Sequence, residues 1–288
     1  MIVSIGDLAC PASIESGRPG PESQRVAIAG LGAIGKVVAA RIDQGMPGLV
    51  LAAAAARNCA RAEAFVATLR HPIPVVALDS LAEHADIVVE CAPAHLMQEI
   101  GEAVLGAGKK LVVLSVAALL AHPDLIDKAR HGGGQILVPT GALIGLDAMA
   151  AAAEGVIHSV RMVTRKPIGG LLGAPYLVEN AIDIANIVEP LCVFKGSARD
   201  AARGFPANVN VCVALSLAGI GPDRTTLELW ADPGVTRNIH HIEVDSDAAR
   251  FSMTIDNIPS ENPRTGRITA QSVIALLRKL SGPLRIGT

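Results

Sequence analysis

Short apolar runs alternate with longer amphipathic stretches between residues 24 and 140 of this 288-residue chain. The apolar runs cover residues 26–30, 50–56, 74–78, 86–92, 111–116 and 136–139. Short runs without polar alternation are typical of strands buried on both faces, and the segments between them have helical spacing. Because strands that alternate with helices are joined by right-handed crossovers, the pattern predicts an α/β domain with a doubly wound, six-stranded parallel sheet.

The pattern changes after Thr140. It predicts a long strand at residues 156–167 and a helix at residues 208–219, followed by three closely spaced strands at residues 225–231, 239–245 and 249–257. Closely spaced strands pair as antiparallel neighbours, so this part is predicted to be an α+β domain on a largely antiparallel sheet. A final amphipathic helix is predicted at residues 267–282.

The first predicted strand ends in a GxGxxG motif, since residues 26–35 read VAIAGLGAIG. In this motif the first glycine permits a tight turn, the second lets the backbone approach a pyrophosphate, and the third allows the helix to pack closely on the sheet. The helix that follows directs the positive end of its dipole at the phosphates. The motif therefore predicts a Rossmann domain that binds a dinucleotide through Gly30, Gly32, Ala33, Ile34 and Gly35.

These elements divide the chain into three predicted parts. Residues 1–23 are rich in Pro, Gly and Ser and are expected to form a flexible extension. Residues 24–140 form the dinucleotide-binding domain, on which the C-terminal segment 267–288 is expected to pack, and residues 141–266 form a catalytic and dimerisation domain. The antiparallel sheet is expected to carry apolar residues on both faces, which predicts a homodimer in which a second copy covers it.

The end of the second predicted strand bears on the choice between NAD and NADP. In NAD-selective folds an acidic residue ends this strand and binds the ribose 2′-hydroxyl, whereas here the strand is followed by Arg57 and Asn58. The planar guanidinium of Arg57 suits a 2′-phosphate, and Asn58 is able to bond to a hydroxyl. We therefore predict that NADP is accepted and that NAD is also used.

Composition and charge exclude several classes of protein. The formal net charge is −2 with no basic run, so neither nucleic acid nor an anionic membrane surface is an expected partner. No apolar stretch reaches the roughly 18–20 residues that cross a bilayer, and the first residues lack the pattern of a signal peptide. The five cysteines are scattered and form no CxxC pair, which favours a reducing cytoplasm and predicts no metal site.

Three of the eight histidines are candidates for proton transfer. His95 follows the fourth apolar run, where ligands of parallel sheets bind, and His240 and His241 begin a strand. Strand alternation places the rings of His240 and His241 on opposite faces, but it does not say which one faces the nucleotide.

Several separated segments of the second half resemble L-aspartate dehydrogenases. They lie, in order, at residues 138–148, 163–167, 204–211, 231–240 and 260–267, and the resemblance runs from about Arg25 to Thr288. It implies oxidative deamination of L-aspartate to iminoaspartate, which hydrolyses to oxaloacetate and ammonia and feeds de novo nicotinamide cofactor synthesis. It also implies that His240 is the catalytic residue and that Ala142 and an asparagine contact the cofactor, with Asn210 favoured over Asn208 by its spacing to His240.

A substrate with two carboxylates needs cationic and hydroxyl donors in its pocket. Thr164 and Lys166 lie on the same face of a predicted strand, and Arg264 and Thr265 lie in the turn before the last helix. These four are predicted to bind substrate. Two alternatives remain open at this point, namely a related two-domain reductase for another small amino or keto dicarboxylate, and a nucleotide sensor without turnover.

Overall fold

The computed structural model describes residues 23–260 and 266–288. The predicted extension lies outside these ranges except for Ser23, and Arg264 and Thr265 also lie outside them. The boundaries between the predicted domains stay a prediction.

The N-terminal sheet is parallel and is covered by helices on both faces. Its strands are β1 (Gln24–Ala29), β2 (Leu49–Ala55), β3 (Ile87–Glu90), β4 (Lys110–Val113) and β5 (Gln135–Leu137), in the order β2-β1-β3-β4-β5. The helices are α1 (Ala33–Asp43), α2 (Cys59–Val66), α3 (Leu81–His84), α4 (Met97–Gly106), α5 (Val116–Leu119) and α6 (Asp124–Gly132). This arrangement confirms the predicted Rossmann fold class.

Of the six strands predicted for this sheet, the one at residues 74–78 is wrong. This segment forms a single parallel bridge, Val75 with Ala54 on the far side of β2. Pro74, which directly precedes the bridged Val75, has no backbone N–H to donate, so the ladder does not extend toward the N-terminus of the segment. The described sheet accordingly has five strands.

The second sheet has its strands in the order β10-β9-β6-β8-β7. The elements here are α7 (Leu146–Ala153), β6 (Ile157–Lys166), α8 (Pro175–Glu179), β7 (Leu191–Ser197), α9 (Ala198–Gly204), α10 (Asn210–Ala218), β8 (Thr225–Ala231), β9 (Asn238–Ser246) and β10 (Arg250–Asn257). Three of the four pairings are antiparallel, and β6 with β8 is parallel, which confirms the largely antiparallel sheet.

The outer face of this sheet differs from the expectation of apolar residues on both faces. Arg161 lies between Glu228 and Glu243 at 3.1 and 2.7 Å, and Lys195 pairs with Glu228 at 3.0 Å. The expectation is wrong because the residues that alternate outward on β6, β8 and β9 are mostly charged or polar. Three apolar side chains, Val163, Trp230 and Ile239, interrupt this network on the same face.

The C-terminal helix α11 (Arg267–Ser281) packs against helix α1 of the N-terminal domain. Ala270, Val273 and Leu277 are buried in one hydrophobic cluster with Val38 and Ile42 of α1. The chain therefore returns to the nucleotide domain at its end. In the described part of the chain, no helix combines the length and apolar character needed to cross a membrane.

Candidate active site

A cavity of about 310 Å³ lies between the carboxyl edge of the first sheet and the inner face of the second. On one side its walls come from the start of α1, the ends of β3 and β4, residues 139–142 after β5, and the start of α11. On the other side they come from the inner faces of β6 and β9 together with the start of α10. Open parallel sheets bind ligands at their carboxyl ends, at the point where strand order reverses, and here that point lies between β1 and β3. The cavity therefore lies at the expected ligand site of the fold.

The glycine motif has the backbone that its sequence predicts. Gly30 has φ +107°, and a Cβ there would lie 2.6 Å from the carbonyl oxygen of Cys91. A Cβ on Gly35 would collide with the carbonyl oxygen of Gly30, whereas one on Gly32 would meet nothing within 4 Å. The turn thus needs glycine at Gly30 and Gly35, and Gly32 leaves open space at the N-terminus of α1.

This open space fits a pyrophosphate. Gly32, Ala33 and Ile34 line the cavity, and the first N–H groups of α1 have no acceptor within the helix. The residues present therefore suit a dinucleotide whose phosphates meet α1 and whose reactive end extends toward the second sheet.

Arg57 and Asn58 lie at the end of β2, where the adenosine half of a dinucleotide is held in this fold. Both are exposed, and Asn58 Oδ1 accepts a hydrogen bond from the N–H of Arg61 at 2.9 Å, which caps α2. The side-chain oxygen of Asn58 therefore caps α2 and is already hydrogen-bonded. Arg57 forms no ion pair within the described residues and stays our candidate for binding a 2′-phosphate.

The substitution Arg57→Asp is expected to weaken NADP binding by about tenfold or more relative to NAD, because a charged hydrogen bond is worth about 1.5–3 kcal/mol and the new carboxylate repels phosphate. Dissociation constants for NADPH and NADH, measured by nucleotide fluorescence, test this. Arg61→Asp makes the same charge change one helical turn further on and is the matched control. An unchanged NADP/NAD preference in Arg57→Asp would show that Arg57 has no such role.

His240 lies on the inner face of β9 and is almost completely buried. Its Nδ1 is 3.0 Å from Thr164 Oγ1 on the neighbouring strand β6. Burial, and to a lesser extent the nearby positive charge of Lys166, together lower the pKa of His240 to about 3. The imidazole is therefore neutral at physiological pH, and Nε2 is the ring nitrogen left to face the cavity.

Lys166 lies two residues from Thr164 on the same buried face, as the sequence predicts. Its Nζ lies 3.5 Å from Asn208 Oδ1, and no carboxylate within the described residues pairs with it. Burial lowers its pKa to about 8, so the group still carries a positive charge near neutral pH. A buried cation without an anion partner is suited to bind an anionic ligand.

Ala142 and Asn210 both line the cavity. The carbonyl of Ala142 accepts a hydrogen bond from Asn257 Nδ2 at 3.0 Å, and Asn210 Oδ1 accepts one from the N–H of Ala117 at 2.9 Å. Asn210 therefore connects α10 of the second domain to α5 of the first, with its amide N–H groups left for a ligand. Asn208, which sequence spacing set aside, is the asparagine that faces Lys166.

His95 and His241 are separated from this group. His95 is exposed on the 3₁₀ turn Ala94–Leu96 and does not line the cavity. His241 lies on the outer face of the sheet, with Nδ1 2.7 Å from Thr254 Oγ1. Strand alternation therefore separates His240 from His241, and the structure brings only His240 to the cavity among these three. Within the described residues no cluster of His, Cys, Asp and Glu is arranged to hold a metal ion.

Sequence reasoning missed one acidic residue of the cavity wall, Glu90. It is completely buried at the end of β3, and its carboxylate accepts hydrogen bonds from the backbone N–H groups of Leu114 and Ser115 at 3.0 and 2.8 Å. The signal in the sequence is a single carboxylate that ends the otherwise apolar run IVVE.

Comparison with known proteins gives matches along most of the chain. The family model described as "Aspartate dehydrogenase, C-terminal" matches residues 147–280, and the one described as "Homoserine dehydrogenase, NAD binding domain" matches residues 30–139. L-aspartate dehydrogenase 3 of Bordetella bronchiseptica is 62% identical over 268 residues, which cover 93% of this chain and 98% of that protein. L-aspartate dehydrogenase of Bradyrhizobium diazoefficiens is 62% identical over 264 residues, which cover 92% of this chain and 94% of that protein.

A solved structure has the same overall fold. The crystal structure of aspartate dehydrogenase from Thermotoga maritima matches with a TM-score of 0.67 at 22% identity, over 92% of this chain and 99% of that one. At this identity the match shows the fold alone.

Proposed function

Because this chain belongs to the L-aspartate dehydrogenase family, we propose that it catalyses the NAD(P)-dependent oxidative deamination of L-aspartate to iminoaspartate, which hydrolyses to oxaloacetate and ammonia. The reaction is reversible. The observation that carries the proposal is the pairing, at one end of the nucleotide cavity, of a neutral buried histidine with a buried cation that has no carboxylate partner among the described residues.

Lys166 holds the substrate, whereas Thr164, predicted as a second ligand, does not line the cavity and pairs with His240 instead. The Lys166 ammonium pairs with a carboxylate of aspartate, and Asn208 beside it offers amide N–H groups to the same carboxylate. Arg264 and Thr265 stay predicted ligands, in the loop that precedes α11. Burial strengthens the charge pairing, because the water that would screen it is excluded.

His240 moves the proton. Its neutral ring is able to accept a proton from the α-ammonium of aspartate, or from the water that adds to the imine carbon, and Thr164 fixes the ring orientation through Nδ1. Loss of that proton leaves a lone pair on nitrogen that forms the C=N bond as hydride leaves Cα. A nicotinamide cofactor held in the cavity would supply the two-electron chemistry as the hydride acceptor.

The cofactor contacts follow from the same cavity. Gly30 and Gly35 shape the turn, and Gly32, Ala33 and Ile34 present backbone to the pyrophosphate. Ala142 and Asn210 contact the reactive half, with the carbonyl of Ala142 held by Asn257. The iminoaspartate formed here is proposed to enter de novo nicotinamide cofactor synthesis in the cytoplasm, where the free thiols at Cys59, Cys91, Cys192 and Cys212 stay reduced.

The substrate is tested with purified protein by following NAD(P)H at 340 nm. Oxaloacetate with ammonia is expected to give the highest kcat/KM in a panel that includes pyruvate, 2-oxoglutarate and glyoxylate. Faster turnover of another dicarboxylate would favour a related reductase, and binding of NAD(P)H without turnover of any acid would favour a nucleotide sensor.

We also propose that the protein is a homodimer formed through the outer face of the second sheet. The apolar group Val163, Trp230 and Ile239 supports this, as does Trp230 Nε1, which is buried without a hydrogen-bond partner. Light scattering at micromolar concentration is expected to give twice the chain mass of 29.6 kDa. Val163→Arg is expected to give monomers, whereas Val178→Arg, at an exposed position on α8, is not. A wild-type monomer would rule the proposal out.

A further inference from the structure

The mechanism above leaves the buried carboxylate of Glu90 without a role. Both of its oxygens are occupied: Oε2 accepts the N–H groups of Leu114 and Ser115, and Oε1 accepts the hydroxyl of Ser115 at 3.0 Å. The residue is completely removed from solvent. Burying a carboxylate is costly, so the chain retains it here against a free-energy penalty.

The donors around Glu90 suit the ionised form. Two backbone N–H groups converge on one oxygen, and an N–H has no lone pair to accept a proton from a protonated acid. Burial raises the pKa of Glu90 above its usual value, and the hydrogen bonds from Ser115, Leu114 and Ala92 offset part of that rise. Within residues 23–260 and 266–288 no cation forms an ion pair with Glu90. In this part of the chain its negative charge is therefore stabilised only by the dipoles of its N–H and O–H donors.

The position of Glu90 relates this charge to one half of the cofactor. The sheet order places β2 on one side of β1 and β3 and β4 on the other. In this fold the adenosine half lies over the side that holds β2, so the nicotinamide half lies over the ends of β3 and β4. Glu90 ends β3, its partners Leu114 and Ser115 follow β4, and all three line the cavity that His240 also lines.

We propose that the Glu90 carboxylate stabilises the oxidised, positively charged nicotinamide relative to the reduced, neutral one, and so sets the balance between the two cofactor forms. The inference rests on the proposed use of a nicotinamide cofactor. A negative charge in a poorly screened site attracts a cation over several ångströms, whereas it leaves a neutral ring largely unaffected. Glu90 acts on the ring through its electric field while its hydrogen bonds hold the turn after β4.

A purely structural role makes a different prediction. If Glu90 only fixed the turn at Leu114 and Ser115, its loss would weaken the binding of both cofactor forms by the same factor. The ratio of the two dissociation constants therefore distinguishes an electrostatic effect of the Glu90 charge on the nicotinamide from a structural effect on the turn.

The test measures dissociation constants for the oxidised and reduced forms by calorimetry and nucleotide fluorescence, without substrate. Glu90→Gln is expected to raise the dissociation constant of the oxidised form about tenfold relative to that of the reduced form. Glu90→Met is a second neutral variant and must shift the ratio in the same direction. Ser115→Ala removes one donor but keeps the charge, so its ratio is expected to stay at the wild-type value.

Each outcome decides between the two roles. A ratio that shifts in the same direction in every neutral variant that still binds the reduced form, with an unshifted ratio in Ser115→Ala, supports the inference. An unchanged ratio, or equal loss of both forms in both neutral variants, overturns it. Wild-type protein that binds neither form would instead overturn the proposed function.

Discussion

Replacing His240 by alanine is expected to lower kcat by about 10²–10⁴-fold, which is the usual cost of losing a general acid–base group. The ring is neutral because burial lowers its pKa to about 3, and it is the histidine that strand alternation turns into the cavity. NAD(P)H binding is expected to persist, since the glycine turn lies at the other end of the cavity. Steady-state kinetics and a nucleotide titration on the same preparation measure both.

His241→Ala is the matched control for His240→Ala, because it removes the same side chain one residue away on the outer face. Its contacts are Thr254 and Glu243, outside the cavity, so activity is expected to stay near the wild-type value. If His241→Ala or His95→Ala lowered kcat as much as His240→Ala in folded protein, the assignment of the proton acceptor would be wrong.

Lys166→Met is expected to lower kcat/KM for aspartate by roughly 30- to 5,000-fold, since removing one member of a buried, hydrogen-bonded charge pair costs about 2–5 kcal/mol. Methionine has similar length and no charge, so the shape of the cavity is largely kept. The loss is expected mainly in KM, because the carboxylate is bound in the ground state as well as the transition state.

The pH dependence of ligand binding isolates the charge of Lys166. Its pKa is lowered to about 8, so it is charged below that pH and becomes neutral above it. The affinity for succinate, an unreactive dicarboxylate, is therefore expected to fall as pH rises through about 8, while His240 stays neutral throughout. Lys166→Met is expected to bind succinate weakly and with no such change. A wild-type affinity that does not vary between pH 7 and 9.5 would contradict this role.

The parts of the fold that short-range rules control were predictable from the sequence. The turn at Gly30–Gly35 follows from the absence of Cβ atoms at two crowded positions, and the separation of His240 from His241 follows from strand alternation. Strand alternation also explains why Thr164 and Lys166 lie on the same face of β6. The strand predicted at residues 74–78 did not form because Pro74 has no N–H for a ladder, which hydrophobic periodicity does not take into account.

The parts of the site that depend on tertiary contacts were not predictable. Spacing to His240 favours Asn210 over Asn208 in the sequence, but only the folded chain shows that Asn208 faces Lys166 while Asn210 bonds to Ala117 across the two domains. Glu90 ends an ordinary buried strand, and its role depends on donors 24 and 25 residues further along the chain.

Transfer of the hydrogen on Cα of L-aspartate to the nicotinamide cofactor is the central claim, and it is tested most directly by labelling that hydrogen. Purified protein is incubated with L-aspartate deuterated at C2 and with NAD(P)⁺, and the products are analysed by mass spectrometry and by assays for ammonia and oxaloacetate. We expect reduced cofactor that carries one deuterium, in amounts equal to the ammonia and oxaloacetate released, and a much slower reaction with His240→Ala. Reduced cofactor without deuterium, or no reduction in protein that binds NAD(P)H, would contradict the account.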